Sequence, residues 1–125
     1  MDLHTILHGI RNKKMYTQED YLKDFEVITK KMYEVTKAKN SDYTGDTTDP
    51  FKNFKQVEIM GICSAEQGFL TRMTDKMMRI SSFVKKGELQ VKDESVIDTL
   101  QDLAVYSILM LCYIKEKAQK KTVVV

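Results

Sequence analysis

The sequence predicts an all-α domain on three observations. Apolar residues recur at spacings of three and four over several long stretches, the period of a helix with one buried face. Residues that start and stop helices punctuate those stretches at the right places. The chain holds a single proline, and no segment alternates apolar and polar residues as a strand would. Four main helices follow, and with them a four-helix architecture.

Residues 2–11 form a short helix in this reading, with Leu3, Ile6, Leu7 and Ile10 on one face. His4 and His8 stand four apart there, but two ligands without a third make a poor metal site. Residues 11–16 connect to the domain proper. Thr17 is an N-cap followed by Glu19 and Asp20 in the first turn, where the helix dipole favours acids. That helix runs to about Lys39, with Leu22, Phe25, Ile28, Met32 and Val35 as its buried stripe.

Residues 40–49, NSDYTGDTTD, read as the one clear loop, being rich in residues that bend the chain and bond its backbone locally. Lys39, Asp42 and Tyr43 bring a cation, an acid and a ring together at its start. They stand either as ligand contacts or as a solvated turn in which Asp42 caps backbone amides. Asp49-Pro50 opens the next helix, with Asp as N-cap and Pro at the first helical position. Phe51, Phe54, Val57 and Ile59 line its face, and Asn53 points to a ligand or to water.

Ser64 and Gln67 make a capping box. Phe69, Leu70, Met73, Met77, Ile80 and Val84 follow as an apolar stripe, and Gly87 fits a left-handed C-terminal cap. On the polar flank Arg72, Asp75, Lys76 and Arg79 fall on neighbouring turns. Residues 87–92 link to the last helix, capped by Asp93. In residues 93–117, DESVIDTLQDLAVYSILMLCYIKEK, the acids Glu94, Asp98 and Asp102 recur every fourth residue and drift slowly along one side. Val96, Leu100, Leu103, Ser107, Met110 and Ile114 form its buried face. Apolar residues stand on nearly every side after Leu103, so other helices are expected to enclose that half.

At 125 residues the chain makes one domain. We divide it into an N-terminal segment (1–16), the helical domain (17–121) and a tail (122–125). A net charge of +2 argues against a dedicated nucleic-acid binder. Cys63 and Cys112 lie far apart with no metal-type partners, as reduced thiols of a cytoplasmic protein would. No signal peptide is expected, and the apolar run 103–114 falls short of the ~20 residues a bilayer requires.

Two helices joined by a short link bring the Arg72–Arg79 flank near the Glu94–Asp102 stripe. One outcome is a structural ion-pair network. The other is a metal site, with Asp75, Glu94, Asp98 and Asp102 as hard oxygen ligands and Arg72, Lys76 and Arg79 on phosphate. Asp102 lies a turn deeper, where an unpaired charge costs most and a bound cation would relieve it.

The combination KNSDYTG…DPFKNF…TRMTDKMMRISSF…DESVIDTLQDLAVYSIL resembles the nucleotide-modification-associated domain 1 family, small phage and bacterial proteins similar to MazG-like all-α NTP pyrophosphohydrolases. The resemblance spans about residues 25–114. RxxDKxxR and ESxxDTxxDLAxY are its specific parts, with KxxDY in support. It implies a MazG-like four-helix bundle and a Mg2+-dependent (or Mn2+-dependent) hydrolase giving a nucleoside monophosphate and pyrophosphate from a deoxynucleotide, modified or not, in phage nucleotide metabolism.

In that reading Asp75, Glu94, Asp98 and Asp102 hold the metal, with Asp75 and Asp98 catalytic. Lys39, Asp42, Tyr43, Asn53, Phe54, Arg72, Lys76 and Arg79 contact the nucleotide. The chain departs from the family pattern of an ExxE followed by an ExxD. The later acids stand at fours, and the earlier motif is reduced to Asp75 with Arg79 where a second acid would be expected. Three functions therefore compete: a hydrolase, a nucleotide-binding or sequestering protein without turnover, and a helical interaction module. Eight methionines on helix faces suggest a homo-oligomer, a dimer or tetramer.

Overall fold

A computed structural model describes residues 15–44, 49–87 and 93–123. Among them the chain is all-helical, with four helices and no strand: α1 (Gln18–Thr44), α2 (Lys52–Ile59), α3 (Ala65–Lys86) and α4 (Glu94–Val123). The expected helix at residues 2–11, the His4/His8 pair and most of the 87–92 link lie outside the described residues.

Thr17 starts α1 as expected. Its hydroxyl accepts from the Asp20 N–H (3.1 Å) and donates to Asp20 Oδ2 (2.9 Å), while its own N–H reaches the same oxygen (3.0 Å). The buried face of α1 differs from expectation. Met32 is buried and Ile28 and Val35 are half-buried, but Leu22 and Phe25 are each 53% exposed. Asp20 and Asp24 turn inward instead. Burial of a carboxylate is tolerable only with partners. Thr17 supplies them to Asp20, and the Tyr16 hydroxyl donates to Asp24. That bond, with the charge of Asp24, pushes the Tyr16 hydroxyl up to about 12.

The predicted loop is a second correction. α1 continues through Thr44, so residues 40–44 are helical. Asn, Ser, Asp, Tyr and Thr are middling helix formers, none of which breaks a helix already propagating. The first strong breaker is Gly45.

α2 begins two residues later than Pro50. Asp49 still serves its start, since its Oδ1 accepts from the Phe51 N–H at 2.9 Å. Ile59 faces outward, 76% exposed, because α2 ends there and the chain turns at Met60–Gly61. α3 has both predicted ends: the reciprocal Ser64–Gln67 box, and Gly87 in the left-handed conformation at φ 69°. Asp93 opens α4 by accepting from the Ser95 N–H at 2.9 Å.

The core is aromatic and sits where α2, α3 and the C-terminal half of α4 meet. Phe51, Ala65, Phe69 and Tyr113 are its buried members, with Phe54, Leu109 and Met110 packed around them. Phe54 stacks on Phe69 with centroids 3.8 Å apart, and Phe51 meets Tyr113 edge-on at 5.5 Å. Lys117 of α4 reaches Glu66 at the start of α3 (2.7 Å), and Lys76 reaches Asp102 further back (3.3 Å). The two helices are therefore antiparallel.

α3 buries less of its stripe than expected. Phe69 faces the core and Met73 and Ile80 lie half-buried, but Leu70, Met77 and Val84 are more than half exposed. A stripe as wide as residues 69–84 covers more arc than α4 and α2 can cover. The second half of α4 is likewise not enclosed within the chain: Ile108, Leu111 and Ile114 are 53%, 67% and 52% exposed. Of its expected buried face Val96 is buried and Leu103 and Met110 are half-buried, whereas Leu100 and Ser107 are exposed with Ile114. α4 also runs to Val123, past the predicted end and into the predicted tail. Residues Glu94–Lys121 are long and apolar enough to cross a membrane by length and composition, and 17% of the most apolar window is buried.

Candidate functional site

A cavity of about 750 Å3 opens between α1, α2, α3 and the middle of α4. α1 contributes Thr29, Met32, Tyr33, Thr36 and Lys39, which follow the i, i+3, i+4 rhythm of one helical face. α2 contributes Asn53, Phe54 and Val57, with Pro50 just ahead of it. From α3 come Gly68 and Arg72. From α4 come Asp102, Val105, Tyr106, Ile108, Leu109 and Cys112. Five residues expected at a ligand site from sequence (Lys39, Asn53, Phe54, Arg72 and Asp102) share this one wall.

The lining divides by chemistry. Phe54, Val57, Met32, Val105 and Leu109 make an apolar floor, with the Tyr106 ring 6.4 Å from Phe54 and edge-on at 85°. Gly68 helps to make the room. A Cβ there would lie 3.4 Å from Val57 and 3.5 Å from Phe54, so any larger side chain would enter the space in front of the floor. Lys39 and Arg72 bring two cations to the rim, both exposed. Lys76 lies just behind, its ammonium 3.3 Å from Asp102 Oδ2 and its side chain only 14% exposed.

The remaining expected residues lie elsewhere. Asp75 pairs with Arg79 on the same helix at 3.6 Å, and both are more than half exposed. Glu94 and Asp98 are exposed at the start of α4. Asp42 and Tyr43 belong to the last turn of α1, and their side chains lie outside the described residues. Among the described residues no three acids, histidines or cysteines converge as a metal site. Asp75 with Arg79 is the same-helix pair that one sequence reading expected, whereas the pair between α3 and α4 is Lys76 with Asp102 and not Arg72 and Arg79 with Glu94 and Asp98.

Sequence reasoning missed Tyr33, Thr36, Tyr106 and Gly68. Tyr106 stands four residues after Asp102, and Tyr33 and Thr36 precede Lys39 by six and three. Helical spacing from residues already singled out was thus the available signal. Gly68 had only its position inside a helix, where glycine is costly without a reason.

The electrostatics outside the cavity are those of a scaffold. Lys55 holds Asp49 and Glu116 at 2.9 Å each, tying α2 to α4. Those bonds raise the Lys55 amine above its ordinary range, and Lys55 lowers the Asp49 carboxyl. Glu116 is lowered by Lys120 and then by Lys55. Burial raises the Tyr113 hydroxyl, with Glu66 adding to the effect.

No family model matches the chain, and no curated protein or solved structure matches it.

Proposed function

We propose that this protein binds a nucleoside phosphate in the α1–α4 cavity. The observation that carries the reading is the division of one wall into an aromatic, apolar floor and a cationic rim. A base is flat and apolar on its faces and suits the Phe54–Tyr106 floor, where stacking and edge contacts favour rings. Phosphates suit Arg72, whose planar fork matches their oxygens, and Lys39 as a point charge. Asn53 supplies both a donor and an acceptor for a base edge. The resemblance to nucleotide-modification-associated proteins points to the same ligand class, as does the MazG-like bundle that four helices would form in a homo-oligomer.

Hydrolysis is the second reading, and the position of Asp102 favours it. Asp102 lines the cavity, with Asp98 one turn earlier on the same helix. Magnesium held by substrate phosphates needs only one or two protein carboxylates. Three converging acids are therefore not required. Asp102 and Asp98 would hold such an ion, with Glu94 one turn further along the same helix, and it would supply an activated water. Lys76 would keep the Asp102 carboxylate in place.

Titration calorimetry with nucleoside mono-, di- and triphosphates, with and without Mg2+, tests the binding reading. Saturable binding should weaken about tenfold or more in Arg72→Ala, the loss of one charge-assisted contact, with the melting temperature unchanged. No binding by any nucleotide ends the proposal. Pyrophosphate release that requires Mg2+ and disappears in Asp98→Ala would establish turnover. Binding without release leaves a nucleotide-binding protein.

A further inference from the structure

The outer side of α4 carries a seam that the other described residues leave largely exposed, with Ala104 half-buried. Leu100, Ala104, Ser107, Leu111, Ile114 and Ala118 follow one another at spacings of four, three, four, three and four. That is the rhythm of a helix packed lengthwise on another helix. Leu100 is 46% exposed, Leu111 67% and Ile114 52%. No charged side chain interrupts the seam. The Ser107 hydroxyl donates to the Leu103 carbonyl at 2.9 Å, which leaves Ser107 to present little more than a small surface.

The order of large and small residues along the seam is what identifies its occupant. Set against an antiparallel copy of itself, with a two-fold axis beside Leu109, the seam pairs Leu100 with Ala118, Ala104 with Ile114 and Ser107 with Leu111. Every layer then sets a large side chain against a small one, the arrangement that lets two helices interdigitate closely. The contact is isologous, as a two-fold dimer requires. The nearest flanking cation is Lys115, whose two copies would lie roughly 18 Å apart along the helices, beyond the ~8 Å reach of charges in physiological salt. A random apolar face has no reason to satisfy all three pairings.

We propose that a second copy of this chain seats on the α4 seam in antiparallel fashion. This deepens the homo-oligomer part of the reading above by naming its face and register. The dimer also completes the cavity. Ile108 stands at the margin of the seam and in the cavity wall at once, so a copy seated on the seam covers that wall. Ligand affinity and dimer affinity are then linked, each raising the other by the same factor.

Sedimentation equilibrium of the full chain without ligand, across a concentration series, tests the interface apart from any nucleotide. The wild type should be a dimer. Ser107→Leu sets large against large and should weaken the dimer by about tenfold or more. The exchange Ser107→Leu with Leu111→Ser restores the large-against-small layer and should restore the dimer. Helical circular dichroism on each variant separates dissociation from unfolding, and exposed Leu111→Glu supplies a second dissociating variant. A monomer at all concentrations overturns the proposal, and flotation of that monomer with phosphatidylcholine vesicles would assign the seam to a membrane. A dimer indifferent to Ser107→Leu and Leu111→Glu overturns it in favour of another face. With the dimer established, binding that is no tighter in the dimer than in the Leu111→Glu monomer overturns the linkage alone.

Discussion

The two sides of α4 are built differently. On one side Phe51, Phe54, Phe69 and Tyr113 close a core with α2 and α3, locked by stacking and edge contacts and by the Lys55 and Lys117 ion pairs. On the other side α1 buries Met32, alone of the large hydrophobic residues described on it, beside two aspartates held by Tyr16 and Thr17, and Leu22 and Phe25 face outward. α1 also packs on α4 more sparingly than α3 does. The aromatic side carries the stability, and the α1 side leaves the room that becomes the cavity. A site needs one wall that holds and one that yields.

Phe69→Ala breaks the first side and should have the largest effect. It deletes the one large side chain that is fully buried among the described residues, at a cost of about 3–5 kcal/mol read by urea denaturation. A loss under ~1 kcal/mol would mean that the aromatic cluster is not the core. Hydrogen exchange sharpens the contrast without mutation. Amides in the middle of α1 should exchange by local opening at least about tenfold faster than those of α3 near Phe69.

Ser64→Ala removes one half of the box that starts α3 and should cost about 1 kcal/mol in thermal or urea melts. The Lys55 tie predicts an acid limb of similar size. Asp49 and Glu116 are depressed in the folded chain, so each contributes stability above its unfolded value near 4 and loses it as pH falls through its lower folded value. Lys55 is raised, so its contribution is full below its unfolded value near 10 and fades as pH climbs through the folded one. Lys55→Met should therefore cost about 1 kcal/mol at pH 7 and progressively less as pH falls below the ordinary carboxylate values near 4. Parallel stability-versus-pH curves for the two proteins would remove this network from the account. The smallest effect belongs to the α1 side: Phe25→Ala should shift stability by under ~0.5 kcal/mol.

Most of the helical architecture was legible in the sequence because its signals are local. Thr17, Ser64, Gln67, Gly87 and Asp93 act within four residues of themselves, and each does in the structure what its chemistry suggests. The inward face of α1 was not legible. Leu22 and Phe25 satisfy the helical period as well as Met32 does, and only tertiary partners turn Asp20 and Asp24 inward instead. The expected loop misled at residues 40–44 for a related reason: polar residues that favour turns also extend a helix already formed. At the site, charge and ring type singled out Lys39, Asn53, Phe54, Arg72 and Asp102. Tyr106 and Gly68 needed the packing of three helices to become visible. How far the stripes on α3 and α4 turn inward was not legible, because apolarity says that a face will be covered and not by what.

Gly68 acts as a gauge on the cavity. With no side chain of its own, it leaves the space before Phe54 and Val57 open on the α3 wall. A methyl group there meets its neighbours at ordinary contact distance, and each further carbon must be taken from the volume available to a guest. Changing this one position resizes the chamber in steps without touching the cations at its rim or the rings on its floor. Descendants of the chain could shift from bulky to slender ligands by that route while keeping the same grip on the charged end. A graded series at position 68, titrated with ligands of increasing size, would show the largest guests rejected first.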